Sequence, residues 1–116
     1  GWNYDNDSTV FPSIDLYDGM NINIGDDVLT VLFTPGHAKG SVCFYCEAGG
    51  FVLTGDTLFL RSIGRTDLPG GNYYEIKESI QKKLYKLPDA TVCFCGHGPE
   101  TTIGDEKRLN SEITEE

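Results

Sequence analysis

The sequence predicts a mixed α/β fold, of the α+β kind, in one domain that spans residues 1–116. In the first half, β-forming runs come in pairs separated by glycine-containing turns, and a later segment repeats apolar residues at helical spacing. The resulting order of hairpins, a helix, a strand and a helical end indicates a mostly antiparallel or mixed sheet with one or two helices. We expect residues 1–20 to be irregular and residues 105–116 to form a short helix or a frayed end.

Two hairpins are predicted before the middle of the chain. The segments INIGDDVLTVLFTP and SVCFYCEAGGFVLTGD each contain two apolar runs around a turn, and Pro35 ends the second run of the first hairpin. The four predicted strands are Ile22–Ile24, Val28–Thr34, 41–46 and 51–54. The segment RSIGRTDLPGGN, which is rich in glycine and includes a proline, predicts a loop after them.

A helix is predicted from Asn72 to Pro88. Asn72 followed by Glu75 resembles a capping box with asparagine in place of serine or threonine. Apolar residues then recur at helical spacing and predict one buried face: Ile76, Ile80, Leu84 and Leu87. After the proline, ATVCFCGHG predicts a last short strand, and a short helix is expected to start near Asp105.

Charge and cysteine content limit the function classes. The net charge is −9 and the sequence pI is about 4.5, which argues against nucleic acid or an anionic membrane surface as a partner. The apolar runs are too short to span a membrane. The sequence shows no signal-peptide pattern, and the four cysteines are expected to be reduced thiols, so a cytoplasmic location is expected.

The cysteines also allow a zinc-ribbon interpretation. Cys43 and Cys46 form a Cys-x-x-Cys pair, and Cys93 and Cys95 follow as Cys-x-Cys. However, the first pair lies in a predicted strand, where positions three apart point to opposite faces. One ion could bind both only if that stretch were a turn.

Three polar residues occupy the same kind of position in the predicted sheet. His37, Asp56 and His97 each follow a β-rich run, each comes directly after a glycine, and each is followed by a loop. Neighbouring strand ends in one sheet would bring the three side chains together. Histidine and aspartate are ligands that zinc prefers, and iron and manganese accept them too.

Each of these signals has an ordinary structural explanation when it is taken alone. A Gly-His pair in a loop is usually a surface turn or a hydrogen-bonded histidine. A Gly-Asp-Thr triplet is usually a turn or the N-cap of a helix. Composition and spacing alone therefore indicate only a metal site as one interpretation of this sheet edge.

Longer motifs add a resemblance to a known family. TPGHAKGSVCFY, VLTGDTLF with GRTDLPGGN, and GHGPETTIGDEKRLN resemble three successive motifs of the metallo-β-lactamase-fold hydrolases, over roughly residues 20–110. The group that these motifs resemble most is the glyoxalase II-like hydroxyacylglutathione hydrolases. The resemblance implies an αββα sandwich, of which this chain would be the C-terminal half.

The resemblance also implies roles for individual residues. His37 resembles the ligand that completes the first metal site, Asp56 the carboxylate that bridges two metals, and His97 a ligand of the second. Arg65 and Asp67, in the GRTD segment, would support the site structurally rather than act in catalysis. In the intact family two zinc ions activate water and polarise a thioester carbonyl, as in S-lactoylglutathione; iron or manganese are alternatives.

One family motif is absent. His-x-His-x-Asp-His supplies most of the metal ligands in the family, whereas this chain has only two histidines, His37 and His97. We therefore expect a fragment of a metal-dependent hydrolase, with partial or no metal occupancy and no activity on its own. The alternatives are a fragment of a mononuclear iron enzyme like the persulfide dioxygenases, which share GRTD, and a non-catalytic binding module.

The strands also predict an apolar surface. Several of their residues suit a sheet that is covered on both sides: Val31, Phe33, Val42, Phe44, Val52 and Leu53. If one covering layer belongs to the absent half, one side of the sheet is exposed. Large exposed apolar patches are uncommon on monomers, so we expect the chain to self-associate through this side, to pair with a partner or to swap segments.

Overall fold

The protein is described by a computed structural model that covers residues 15–116, so most of the expected irregular start lies outside the described residues. The strands of the described part are β1 (Asn21–Ile24), β2 (Asp27–Phe33), β3 (Val42–Cys46), β4 (Phe51–Gly55), β5 (Leu58–Phe59), β6 (Ser62–Ile63), β7 (Val92–Cys95) and β8 (Thr101–Thr102). The helices are α1 (Tyr73–Lys82) and α2 (Ile103–Leu109), with a 3₁₀ turn at Leu84–Lys86 after α1. The predicted mixed fold with two helices is confirmed.

Six strands form one sheet in the order β1-β2-β3-β4-β7-β8, and β5 pairs with β6 separately. Neighbouring strands are antiparallel except β4 and β7, which are parallel. A parallel pair needs a long crossover connection, and here the crossover contains the β5–β6 hairpin and α1. Because β4 and β7 run in the same direction, their carboxyl ends lie side by side at one edge of the sheet.

One side of the sheet, the helix-facing side, packs against both helices. Cys43, Val52 and Cys93 are fully buried there. They belong to one core cluster with apolar residues of the helices and their flanks: Leu58, Ile76, Ile80, Leu84, Tyr85, Ile103 and Ile113. The spacing of Ile76, Ile80 and Leu84 thus predicted the buried face of α1 correctly.

The opposite side, the open side, carries a row of apolar residues across four strands. The register aligns Val31 with Phe44, Phe44 with Leu53, and Leu53 with Phe94. Val31 is buried, but Leu53 is 36% exposed and Phe94 is 45% exposed. Phe33, near the end of β2, is also 36% exposed, but its ring lies beside α1, with its centroid 6.0 Å from Nζ of Lys83. The open side thus exposes large apolar side chains, as the strand pattern predicted, whereas Val52 lies on the helix-facing side.

Helix α1 starts as predicted and ends earlier. The Asn72 side chain accepts a hydrogen bond from the Glu75 backbone N–H at 3.0 Å, which caps the first turn. The α-helix ends at Lys82, and Leu84 belongs to the 3₁₀ turn that follows. Pro88 explains only why the 3₁₀ turn ends before Leu87, which is extended with a ψ of 158°, because the residue before a proline is disfavoured in the α conformation.

The predicted start of the last helix and one predicted loop also require correction. The segment RSIGRTDLPGGN is not wholly a loop, since Ser62–Ile63 pairs with Leu58–Phe59 as a small hairpin. Arg61, in its turn, has a positive φ of 56°. Helix α2 starts at Ile103, where Thr102 caps it by accepting from the Asp105 N–H at 3.2 Å. Two-residue strands are too short to show any period in the sequence.

The zinc-ribbon interpretation is not supported. All four cysteines are free thiols in the described part of the chain, and three of them are buried. Cys43 pairs with Leu32 and Cys46 with Phe51, so the two side chains point to opposite sides of the sheet. Within residues 15–116, no helix is both long and apolar enough to cross a membrane.

Candidate metal centre

His37 sits on a loop that is held against helix α1. The carbonyl of Gly36 accepts a hydrogen bond from the Asn72 N–H at 2.7 Å, and the carbonyl of Pro35 accepts one from the Ser79 hydroxyl at 2.7 Å. Gly36 has a φ of 140°, and a side chain there would come within 2.3 Å of Ile76. Glycine is therefore required for the loop to approach the helix closely and present His37.

Asp56 and His97 follow the adjacent ends of β4 and β7. The Gly96 N–H donates to the Gly55 carbonyl at 2.8 Å and joins the two strand ends. A methyl group at Gly96 would lie 2.9 Å from the Oδ1 atom of Asp56. The glycine before His97 thus leaves room for the Asp56 carboxylate, which explains the glycines of this motif by geometry.

The three side chains lie together, as their strand-end positions predicted. The Nε2 atom of His37 is 3.8 Å from Oδ2 of Asp56, and Nε2 of His97 is 3.4 Å from Oδ1 of Asp56. The side chains of His37, Asp56 and His97 are 26%, 47% and 82% exposed, respectively. The carboxylate therefore stands between two imidazoles and turns a different oxygen toward each.

The orientation of His37 is fixed by a backbone acceptor. Its Nδ1 atom lies 2.8 Å from the carbonyl oxygen of Arg65. A carbonyl can only accept, so Nδ1 carries the proton and donates. In the neutral ring this leaves the lone pair on Nε2, which faces Asp56. A metal-binding histidine usually has this arrangement, with one nitrogen held by a protein acceptor and the other free to coordinate.

Arg65 and Asp67 form a two-point ion pair beside the site. The Arg65 guanidinium donates from Nε and from a terminal nitrogen to the two oxygens of Asp67, at 2.8 and 2.9 Å. The hydrogen bond from Arg65 lowers the pKa of Asp67 to about 2, and the same contact raises the pKa of Arg65. The pair joins two residues of the loop whose Arg65 carbonyl holds His37. Their predicted supporting role is consistent with this geometry.

The three side chains border a shallow depression of about 250 Å³, which Phe59, Gly64 and Arg65 complete. The ring centroid of Phe59 is 6.1 Å from that of His97. A side chain at Gly64 would come within 1.8 Å of the Asp56 carbonyl oxygen, so only glycine allows this close approach. Phe59 and Gly64 were not among the predicted site residues, although Phe59 closely follows the GDT segment and Gly64 is the first residue of GRTD.

The donor set fits metal ions but is incomplete. Each imidazole has one carboxylate oxygen of Asp56 as its neighbour, which gives two donors at each of two positions. Within residues 15–116 no three or more His, Cys, Asp or Glu side chains converge as a group that could hold one ion. A structural or catalytic zinc ion takes at least three protein ligands. Further ligands would thus have to come from outside this group.

Comparison with known proteins agrees with this picture. The sequence profile of the metallo-beta-lactamase superfamily matches residues 4–97. A probable metallo-hydrolase, YqgX of Bacillus subtilis, is 46% identical over 103 residues, which are 88% of this chain and 49% of that protein. The hydroxyacylglutathione hydrolase GloC of Haemophilus influenzae is 43% identical over 93 residues, covering 80% of this chain and 41% of that protein.

Solved structures give the same result for the fold. ETHE1 from Myxococcus xanthus matches with a TM-score of 0.79 and 36% identity, over 84% of this chain and 44% of that one. TTHA1623, solved in a di-iron-bound form, matches with a TM-score of 0.79 and 42% identity, over 89% of this chain and 50% of that one. The chain therefore spans about half the length of the curated relatives and structures that it matches.

Proposed function

The chain belongs to the metallo-beta-lactamase superfamily, and from that premise we propose that it contributes one half of a two-metal site to a hydrolase of thioesters such as S-lactoylglutathione. In this proposal Asp56 would hold both metal ions, His37 would bind the first and His97 would bind the second. The remaining ligands come from a preceding half of the kind that the His-x-His-x-Asp-His motif provides in the family. This chain alone is then inactive.

The observation that carries the proposal is the position of the Asp56 carboxylate. Its two oxygens face two different imidazole nitrogens, at 3.8 and 3.4 Å. Binding of one ion would instead require the three side chains to point at one centre. A carboxylate placed between two histidines is suited to bridging paired ions, which lie about 3.5–4 Å apart in two-metal hydrolases.

Arg65 and Phe59 would support the metal ligands in this mechanism. Bound metal would supply hydroxide near neutral pH and polarise the thioester carbonyl. The Arg65 carbonyl keeps the Nε2 lone pair of His37 available by holding the proton on Nδ1. Phe59 gives the depression an apolar wall beside His97, against which an acyl or thiol group can pack.

The name of one relative supports the thioester class. GloC is a hydroxyacylglutathione hydrolase and is 43% identical to the chain over 93 residues. YqgX is described only as a probable metallo-hydrolase. A second candidate is a dioxygenase like the persulfide dioxygenases, favoured by the GRTD segment and an exposed site. We propose zinc as the metal, with iron as the alternative because the related TTHA1623 was solved with two irons.

Elemental analysis of the protein encoded by the whole gene tests the metal proposal. After purification and dialysis we expect two zinc ions per chain, and Asp56→Asn should retain fewer than one. Asp89→Asn is the matched control, because Asp89 is an exposed carboxylate paired with Lys107 away from the site. Undiminished metal content in Asp56→Asn would refute the bridging role. Two irons in place of zinc would leave the bridging role intact and refute the choice of metal.

A further inference from the structure

A group of buried hydroxyls lies directly beneath the candidate site. Thr34 directly follows β2 and precedes the His37 loop, and Thr57 directly follows Asp56. The two residues are 0% and 1% exposed, respectively. Their hydroxyl oxygens are 3.3 Å apart. The hydroxyl of Thr34 also lies 3.3 Å from the Cys43 sulfur. The Thr34–Thr57 contact is a side-chain link between the strand end that leads to His37 and the turn that carries Asp56.

The backbone of Thr57 makes two more connections in the same place. Its N–H donates to the Thr54 carbonyl at 2.9 Å and closes the turn around Asp56. Its carbonyl accepts from the Gly64 N–H at 3.2 Å. Gly64 precedes Arg65, whose carbonyl accepts from His37. Thr57 thus contacts the two segments that must stay in register for the His37–Arg65 hydrogen bond to form.

The hydroxyl is the part of Thr57 that reaches the His37 segment. Valine has almost the same shape as threonine, but it cannot make this bond and would leave the Thr34 hydroxyl with only the weakly hydrogen-bonding Cys43 sulfur. A buried polar group that loses its partner favours a rearrangement that restores one. Thr34 is followed directly by Pro35, Gly36 and His37, so a rearrangement at Thr34 would reach His37 along three residues of chain.

We propose that Thr57 is a positioning residue that sets the orientation of His37 relative to Asp56 through its hydroxyl contact with Thr34. The consequence for catalysis rests on the proposed two-metal site. The orientation itself does not, because all of the contacts involved are made by this chain. Thr57 touches neither substrate nor metal in this account and acts only through His37 and Asp56.

Side-chain nitrogen NMR of the two histidines measures this orientation directly. The chain has only His37 and His97, and His97→Gln assigns the signals. In the neutral form of its ring, His37 should show one tautomer, with the proton on Nδ1. Thr57→Val should change this to an averaged mixture of tautomers, whereas Thr57→Ser, which keeps the hydroxyl, should restore the single tautomer.

Two further variants separate positioning from simple loss of a buried threonine. Thr91→Val removes a buried hydroxyl where β7 begins, at the opposite end of that strand from His97, and should leave the His37 tautomer unchanged. Thr34→Val removes the same hydroxyl contact from its other side and should give the same mixture of tautomers. This variant replaces Thr57→Val if the latter does not fold. A single Nδ1 tautomer in both folded Thr34→Val and Thr57→Val, or in whichever of them folds, would overturn the proposal.

The measurement needs no bound metal, so it is independent of the proposed function. A tautomer change in Thr57→Val together with absent metal binding in the protein encoded by the whole gene would support the positioning role and refute the metal site. Bound metal together with an unchanged tautomer would refute the positioning role and leave the metal site standing.

Discussion

The Nδ1 atom of His37 lies 2.8 Å from the carbonyl oxygen of Arg65, and this contact leaves Nε2 facing Asp56. A histidine that served only as a surface residue would not need a fixed tautomer. A histidine that binds a metal does, because the coordinating nitrogen must be deprotonated. This hydrogen bond joins the loop that carries His37 to the GRTD segment, which is distant in the sequence.

Gly96→Ala should weaken metal binding by the protein encoded by the whole gene. The added methyl would come within 2.9 Å of Asp56 Oδ1 and displace the carboxylate. We expect at least a tenfold loss of affinity, the order seen when the groups that hold ligands in place are altered. Gly40→Ala is the control, because a methyl there meets no described atom within 4 Å. Competition with a chromogenic chelator measures both, and equal affinities would contradict this prediction.

The Arg65–Asp67 ion pair should persist to unusually low pH. The pKa of Asp67 is lowered to about 2, below the ordinary value of about 3.9. The contribution of the ion pair to the stability of the fold is therefore complete above about pH 4 and is lost as the pH falls through about 2. Both side chains are well exposed, so salt should weaken the effect. A carboxyl carbon NMR titration should show a midpoint near 2 that rises toward 3.9 in Arg65→Gln; a midpoint near 3.9 in the unsubstituted chain would contradict this.

Glu106 should be a large contributor to stability. It is fully buried, and its carboxylate accepts from the Arg61 N–H at 2.8 Å, the Arg61 guanidinium at 2.5 Å, the Thr101 hydroxyl at 2.5 Å and the Asn110 amide at 3.0 Å. Glu106→Ala leaves these donors without their acceptor. Breaking a buried pair in this way costs about 3–5 kcal/mol. We expect the lower end, because the Arg61 side chain is 38% exposed and water can solvate it.

Chemical denaturation measures the Glu106 effect. Glu112→Ala is a suitable control, because Glu112 is an exposed glutamate near the same helix, and surface changes of this kind usually stay within about 0.5 kcal/mol. Equal free energies of unfolding for the two variants would show that the Glu106 network adds no net stability. Because Glu106 holds Arg61 at its positive φ, the hairpin that carries Phe59 should also loosen in Glu106→Ala.

The 116-residue chain should self-associate through the open side of its sheet. Leu53 and Phe94 are neighbours there and are 36% and 45% exposed. Replacing both with glutamine should lower the average mass in light scattering and reduce binding of an apolar dye. Tyr74→Gln is the control, since Tyr74 is 78% exposed but lies on α1. A compact, dye-free monomer at high concentration would contradict the prediction.

The sequence predicted the features that depend on local patterns. The Asn72 cap, the buried face of α1 and the paired strands follow from spacing and turn residues. The β5–β6 hairpin was missed because its positive φ at Arg61 is held by Glu106, which is far away in the sequence. No local pattern can reveal that contact.

The candidate site shows the same division. Their positions after strand ends and glycines predicted that His37, Asp56 and His97 lie close together, as observed. Strands that run in the same direction place their carboxyl ends at the same end of the sheet. The sequence did not reveal Phe59 as a wall of the depression or Thr57 as a link beneath it. Both depend on how the loop after β4 folds back, and that path is set by tertiary contacts at Gly64 and Arg61.

The most direct test of the two-half metal site is hydrolysis of S-lactoylglutathione with zinc added. The protein encoded by the whole gene should be active and should lose activity in Asp56→Ala, whereas the 116-residue chain should be inactive under the same conditions. Activity of the 116-residue chain that disappears in Asp56→Ala would contradict the account, because it would mean that His37, Asp56 and His97 suffice.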